Sequence, residues 1–229
     1  MSTAWYDRLG VFDLETTGID VETARIVAAY VGVVGADGEA KGVSWLADPG
    51  VDIPVQASAV HGITTEMARA NGRPAAEVVA EIVAVLRALL SQRVPITIYN
   101  APYDLTLLNR EAQRYGIEPL EAPAPIIDPL VIDRALDRYR KGKRTLSAAA
   151  DVYGVVLADA HDATADAVAA GRLAQAIARR YSTELGDDVT SLHSRQVEWS
   201  AASAADFQEY MRRKDPTFAS SGAWPERHR

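Results

Sequence analysis

The chain has 229 residues, 48% hydrophobic and 24% charged, enough for one globular domain with a sizeable core plus an appendage. It has no cysteine, which excludes disulfides and thiolate-bound zinc, and its net charge of −7 excludes a general nucleic-acid coating protein. The N-terminus MSTAWYDRLG lacks a basic start followed by an apolar run, and no uncharged apolar stretch approaches about 18 residues, so the expectation is a cytoplasmic protein with no membrane span.

Residues 9–15 read as an apolar strand ending in the pair Asp13 and Glu15. Residues 25–34 (RIVAAYVGVV) form a second strand, and Gly35-Ala36-Asp37-Gly38 turns into a third over 41–46. After a loop with Pro49, Gly50 and Pro54, the run Ala59-Val60-His61-Gly62-Ile63-Thr64 leads into a short helix capped by Thr64 or Thr65. Residues 74–92 are the clearest helix, with Val78, Val79, Ile82, Val83, Leu86 and Leu89 at helical spacing. A strand over 94–99 (VPITIY), a helix over 103–115 closed by Gly116, and a short strand over 126–128 follow. Thr145 caps a helix that stops near Gly154, and Asp162 starts an alanine-rich helix reaching about Leu185. Strands alternating with helices in the second half add parallel strands to the opening meander, so the class is α/β with a mixed sheet. Residues 8–185 form the body. The segment 186–229 changes character, with one amphipathic run over 203–214 between polar stretches; it is read as an appendage that docks on the body or tethers a partner.

Three patches carry chemistry: Asp13-Leu14-Glu15-Thr16-Thr17-Gly18, Asn100-Ala101-Pro102-Tyr103-Asp104, and His161-Asp162-Ala163-Thr164-Ala165-Asp166. Alternation along a strand puts Asp13 and Glu15 on one side and Leu14 on the other. Two acids so placed on an apolar strand repel each other unless a cation lies between them, and the plainer alternative is a solvated strand end. The turn Thr16-Thr17-Gly18 offers hydroxyls and N–H groups to an anion. Asp104 follows a strand and starts a helix; it either caps that helix or stands at the strand's C-terminal end, where α/β sheets place ligands. His161 and Asp166 share no helix face and converge only if His161 lies in the loop with Ala160, ahead of the helix. Asp166 sits among Ala163, Ala165, Ala167, Ala169 and Ala170, whose small side chains let a helix approach the sheet closely. Converging carboxylates select Mg²⁺ or Mn²⁺ over zinc, two such cations can clamp a phosphodiester displacement, and a histidine can deprotonate the attacking water. The basic stretch Arg134, Arg138, Arg140, Lys141, Lys143 and Arg144 is either a solvated face or a set of phosphate contacts.

In this order the three patches resemble the DEDDh 3′–5′ exonucleases, a family that includes the proofreading epsilon subunit of bacterial DNA polymerase III. Further agreements are His61-Gly62-Ile63-Thr64, Ile127-Asp128, and Thr145-Leu146 leading to Tyr153-Gly154; the resemblance covers roughly residues 8–182. It implies an RNase H-like mixed sheet of five strands flanked by helices. Asp13, Glu15 and Asp166 would hold the first of two divalent cations, Mg²⁺ or Mn²⁺. Asp13 would bridge to the second and Asp104 would complete its shell. His161 would be the general base. Leu14, Thr16 and Thr17 would contact the terminal nucleotide and its 3′-OH, and His61 and Tyr103 the base side. Pro102 departs from the family, whose members usually carry a small or polar residue there.

The implied substrate is a nucleic-acid 3′ end, single-stranded DNA favoured, releasing nucleoside 5′-monophosphates in proofreading or repair. The alternatives are an RNA-trimming relative, since contacts to a 2′-OH are not visible in sequence, and a catalytically idle module bound to a polymerase. All five catalytic-type residues are present, which an idle module need not keep. A DNA polymerase or another replication or repair protein is the partner expected for residues 186–229; Gln196-Val197-Glu198-Trp199 is only a faint candidate for a binding peptide.

Overall fold

Valine- and isoleucine-rich segments build the opening meander in the computed structural model, which describes residues 4–157 and 161–227. Ala160 and the last two residues of the segment 186–229 lie outside these. Strands β1 (Arg8–Thr16), β2 (Ile26–Gly35) and β3 (Ala40–Asp48) pair antiparallel, with Asp13 opposite Tyr30 and Glu15 opposite Ala28. Helices α1 (Val55–His61) and α2 (Thr65–Asn71) lead to β4 (Arg73–Pro74) and to α3 (Ala75–Ser91). Then come β5 (Ile96–Thr97), α4 (Ala101–Arg114), β6 (Ile126–Ile127), α5 (Pro129–Leu136) and α6 (Leu146–Tyr153). Helices α7 (Ala163–Arg180), α8 (Ser182–Leu185) and α9 (Val189–Arg212) complete the described chain.

The sheet has six strands in the order β4-β3-β2-β1-β5-β6, with β5 parallel to β1 and β6 parallel to β5. Five of them are the strands expected from sequence, and the RNase H-like class holds. The sixth, β4, is a two-residue edge beside β3, too short to show any apolar alternation.

Alternation along β1 sorts its side chains between two helical layers. Phe12 and Leu14 pack in the cluster that holds Val79, Ile82 and Leu86 of α3 with Leu105 and Leu108 of α4. Leu9 packs with Leu173 and Ile177 of α7, and Val11 with Ala163 and Ala167. Asp13 and Glu15 therefore continue the α7 face. A Cβ on Gly171 would come within 2.6 Å of Val11 Cγ1, so glycine at this point lets α7 lie directly on β1. That approach brings Asp166 to the strand's acidic end.

Thr64 caps α2 by accepting from the Met67 N–H, and Thr145 caps α6 by accepting from that of Ala148, as the sequence indicates. The long alanine-rich helix instead stops at Arg180, and Tyr181 separates it from the single turn of α8. Helix α5 escaped the sequence reading although Asp128 and Pro129 are a cap and a first-turn proline. The amphipathic run expected over 203–214 is part of a much longer helix, α9, which packs on α5 and β6. No helix among the described residues is long and apolar enough to cross a membrane.

Candidate active site

The C-terminal half of β1 carries the acidic pair, α7 the third carboxylate and α4 the fourth. Carboxylate oxygens of Asp13, Glu15 and Asp166 all lie within 4.8 Å of one another. Asp166 Oδ2 accepts from the His161 N–H at 3.3 Å, while its Oδ1 is buried with no hydrogen-bond partner among the described residues. A buried carboxylate oxygen left unpaired beside two other acids is costly unless something positive occupies the gap. The donor set is entirely hard oxygen and fits Mg²⁺ or Mn²⁺.

Burial is the main cause that pushes the Asp13 carboxyl well above the usual range, followed by repulsion from Asp104, Glu15, Asp166 and Asp162. Burial and then Asp166 and Asp162 push Glu15 up to about 8. Asp166 is raised as well, chiefly by burial, with the backbone and charge of His161 opposing the shift. A carboxyl raised in the folded state contributes stability while protonated, and that contribution is lost as the pH climbs through its folded value. In EDTA the thermal midpoint should therefore fall as the pH rises from about 4.5, the ordinary value for Glu15, to about 8. Mg²⁺ should flatten that slope by replacing the protons. A midpoint that holds level or rises across this window in EDTA contradicts the reading.

Asp104 is 4% exposed in the first turn of α4. Burial raises its carboxyl, and backbone N–H groups of its own turn and of Leu14 pull it part of the way back. The turn is set from a distance. Asn100 adopts a left-handed conformation (φ 66°, ψ 47°) and makes no side-chain cap. Asp128, at the end of β6, supplies it: its Oδ1 accepts from the Asn100 N–H at 3.0 Å and its Oδ2 from the Ala101 N–H at 3.0 Å. Nothing local in sequence reveals that role, because cap and helix are 27 residues apart. Pro102 fits because the first turn of a helix needs no N–H partner there.

A bulge between Glu15 and Thr16 bends the end of β1. Its unpaired groups are met by side chains, with the Arg25 N–H donating to Thr17 Oγ1 at 2.9 Å and the Ile26 N–H to buried Glu111 at 3.2 Å. Tyr103 Oη donates to the Gly18 carbonyl at 2.6 Å and lies 2.5 Å from Thr16 Oγ1, which ties α4 to the turn. Leu14 is buried on the face opposite the carboxylates. His61 ends α1; its Nδ1 accepts from the Ile63 N–H at 3.2 Å, its Nε2 is buried with no partner among the described residues, and burial lowers its pKa. His161 stands exposed just ahead of α7 with φ 72°, so it precedes the helix while Asp166 lies in its first turn. Asp162 starts α7 as the sequence indicates, capping it by accepting from the Ala165 N–H at 3.0 Å; what sequence did not reveal is that its charge acts on both Asp13 and Glu15.

The basic stretch divides. Arg140 and Arg144 (2.7 Å) both pair with fully buried Asp133 and are tied into the fold, whereas Arg138 pairs with Asp206 at 2.7 Å on the exposed surface, where such a pair adds little stability. Arg134 makes no ion pair among the described residues.

Residues 11–174 match the profile of the RNase_T family, described as Exonuclease. The chain belongs to this exonuclease family. Its fold is also that of exonuclease I: one such structure superposes with a TM-score of 0.68 at 20% identity, covering 77% of this chain and 42% of the other. E. coli exonuclease I in complex with a dA16 oligonucleotide gives 0.67 at 20% identity over the same shares. An ExoI/SSB-Ct complex gives 0.65 at 19% identity, again over 77% and 42%. This exonuclease domain thus spans less than half the length of those chains. No curated protein matches it in sequence.

Proposed function

We propose that the domain is a metal-dependent 3′–5′ exonuclease that releases nucleoside 5′-monophosphates from single-stranded DNA ends. The convergence of Asp13, Glu15 and Asp166 around an unpartnered buried oxygen carries this reading. These residues would hold one divalent cation, and Asp104 with Asp13 a second. When bound, Mg²⁺ or Mn²⁺ supplies a nucleophilic water at neutral pH and offsets charge on the phosphoryl oxygens. His161, exposed beside Asp166, accepts the proton of the attacking water at an imidazole nitrogen. Thr16 and Thr17, with the backbone of Leu14 whose side chain is turned into the core, would meet the terminal nucleotide and its 3′-OH, which restricts attack to chain ends, and His61 and Tyr103 would approach the base.

Single-stranded DNA is favoured because exonuclease I shares this fold and has been captured with a DNA oligonucleotide. A role like that of the proofreading epsilon subunit rests on the motif set alone. A cytoplasmic location fits a chain with no cysteine. Residues 189–224 use Leu192, Trp199 and Trp224 against the body, which leaves the outer face of α9 for a DNA polymerase or another replication or repair protein. Exonuclease I itself is known in complex with SSB-Ct.

The test is degradation of 5′-labelled single-stranded DNA and RNA of one sequence with Mg²⁺, Mn²⁺ or EDTA. A metal-dependent ladder that shortens from the 3′ end, faster on DNA, is expected. Internal cuts or activity in EDTA would sink the proposal, and faster loss of RNA would move it to the RNA-trimming alternative. His161→Ala should lower turnover by about 10²–10⁴-fold, and raising the pH should recover much of it as hydroxide replaces the base. A variant within threefold or so of the parent at neutral pH removes His161 from the proton transfer.

A further inference from the structure

A groove runs from the helix that carries Asp104 across α5 and α9. Its inner end, a cavity of about 160 Å³, is lined by Asn100 and Pro102 of the second motif together with Arg134, Ser200, Ser221 and Arg227. The middle, about 410 Å³, adds Ser203 and Phe207, and the outer part, about 470 Å³, adds Arg138 and Asp206. Arg134 lines all three. Its charge and that of Arg227 face a groove whose two carboxylates are already occupied. Asp128 accepts the N–H groups of Asn100, Ala101 and Leu130, and Asp206 is paired with Arg138.

The C-terminal segment closes the inner end. The Arg227 N–H donates to Thr106 Oγ1 of α4 at 2.8 Å, and the guanidinium is near enough for its charge to act on the Tyr103 hydroxyl at the bent end of β1. Phe207 is 50% exposed on the groove wall, braced edge-on by Phe218 with ring centroids 5.4 Å apart. Arg134 and Arg227, neither in an ion pair among the described residues, lie along a groove with an exposed aromatic ring, which suits a single-stranded nucleic acid whose phosphates take the charge and whose bases stack.

We propose that the strand being degraded reaches the acidic site through this groove, with Arg134 and Arg227 on its phosphates and Phe207 under an upstream base. The proposal rests on the exonuclease reading for the direction of the strand, but the groove can be tested without cleavage. Binding of a 5′-fluorescein oligothymidylate of roughly 20 nucleotides, long enough to span the groove, would be followed by anisotropy with Ca²⁺ in place of Mg²⁺. Arg134→Ala combined with Arg227→Ala should weaken binding about tenfold or more, as expected for lost charged hydrogen bonds. The slope of log affinity against log salt should become shallower by roughly 1.4, about 0.7 for each single-strand phosphate contact. Phe207→Ala should weaken binding by a similar factor with the salt slope unchanged, because stacking releases no counterions.

A parent chain that fails to bind the strand, or a double variant with unchanged affinity and slope, overturns the groove. Cleavage separates the two proposals. A chain that binds through the groove yet cuts nothing with Mg²⁺ refutes the exonuclease reading alone. A double variant that keeps the parent's preference for long strands over a dinucleotide refutes the groove alone. All the substituted side chains are on the surface, and an unchanged unfolding midpoint excludes misfolding as the cause.

Discussion

Replacing Asp166 or Asp13 with alanine should abolish cleavage while leaving the fold intact. Each removes a carboxylate from a cluster whose oxygens lie within 4.8 Å of one another. Loss of the charge stabilisation that a held cation gives to phosphoryl transfer is worth several kcal/mol, or about 10³-fold or more in rate. Stability should move the other way. In EDTA near pH 8 the folded chain holds Asp13, Glu15, Asp166 and Asp104 against burial and mutual repulsion. Removing one acid relieves both, so the midpoint should rise by about 2–4 °C for each kcal/mol relieved. Mg²⁺ adds to this contrast: it should stabilise the parent by mass action and the variants far less. An alanine variant that keeps a tenth or so of the parent's Mg²⁺-dependent rate, or that gains as much stability from Mg²⁺ as the parent, argues that the cluster is not the metal site.

What the sequence revealed here followed from local physics. Alternation placed Asp13 and Glu15 on one side of β1, and the alanines around Asp166 announced a helix pressed against the sheet, which Gly171 then allows. The placement of His161 ahead of α7 could be argued from helix geometry alone. Features set by contacts between distant residues were not legible. Asp128 holds the first turn of α4 from another strand, and Thr17 answers a bulge rather than only facing a substrate turn. The arginines of 138–144 look like a nucleic-acid patch until buried Asp133 is seen to claim two of them. Helix α9 was hidden because its apolar positions are sparse: only Leu192 and Gln196 are fully buried along its length.

That sparse face leads to the second large effect. Gln196 Oε1 accepts from the Asp128 N–H at 2.7 Å and its Nε2 donates to the Ile126 carbonyl at 3.0 Å, while His193 Nδ1 accepts from the Ile126 N–H at 3.1 Å. Helix α9 thus completes the exposed edge of β6 with side chains, as a further strand would do with backbone. Beyond it Trp224, 4% exposed, joins the main core and donates its indole N–H to Asp128 Oδ2 at 3.3 Å. We expect Trp224→Ala to cost about 3–5 kcal/mol, the usual loss for a buried tryptophan. The midpoint should drop by about 10 °C, at 2–4 °C per kcal/mol for a chain of this size. A chain ending at residue 185 would leave the β6 backbone groups and the Asp128 carboxylate short of partners, at about 1–3 kcal/mol for each buried group, and would uncover Leu130 and Val131. It should be insoluble or fail to unfold cooperatively. The same Asp128 holds the turn that presents Asp104, so activity should be lost along with the fold. A truncated chain that is soluble, unfolds in one transition and cleaves like the parent would instead make residues 186–229 a tether for a partner, and the packing of Gln196 and Trp224 incidental to the domain.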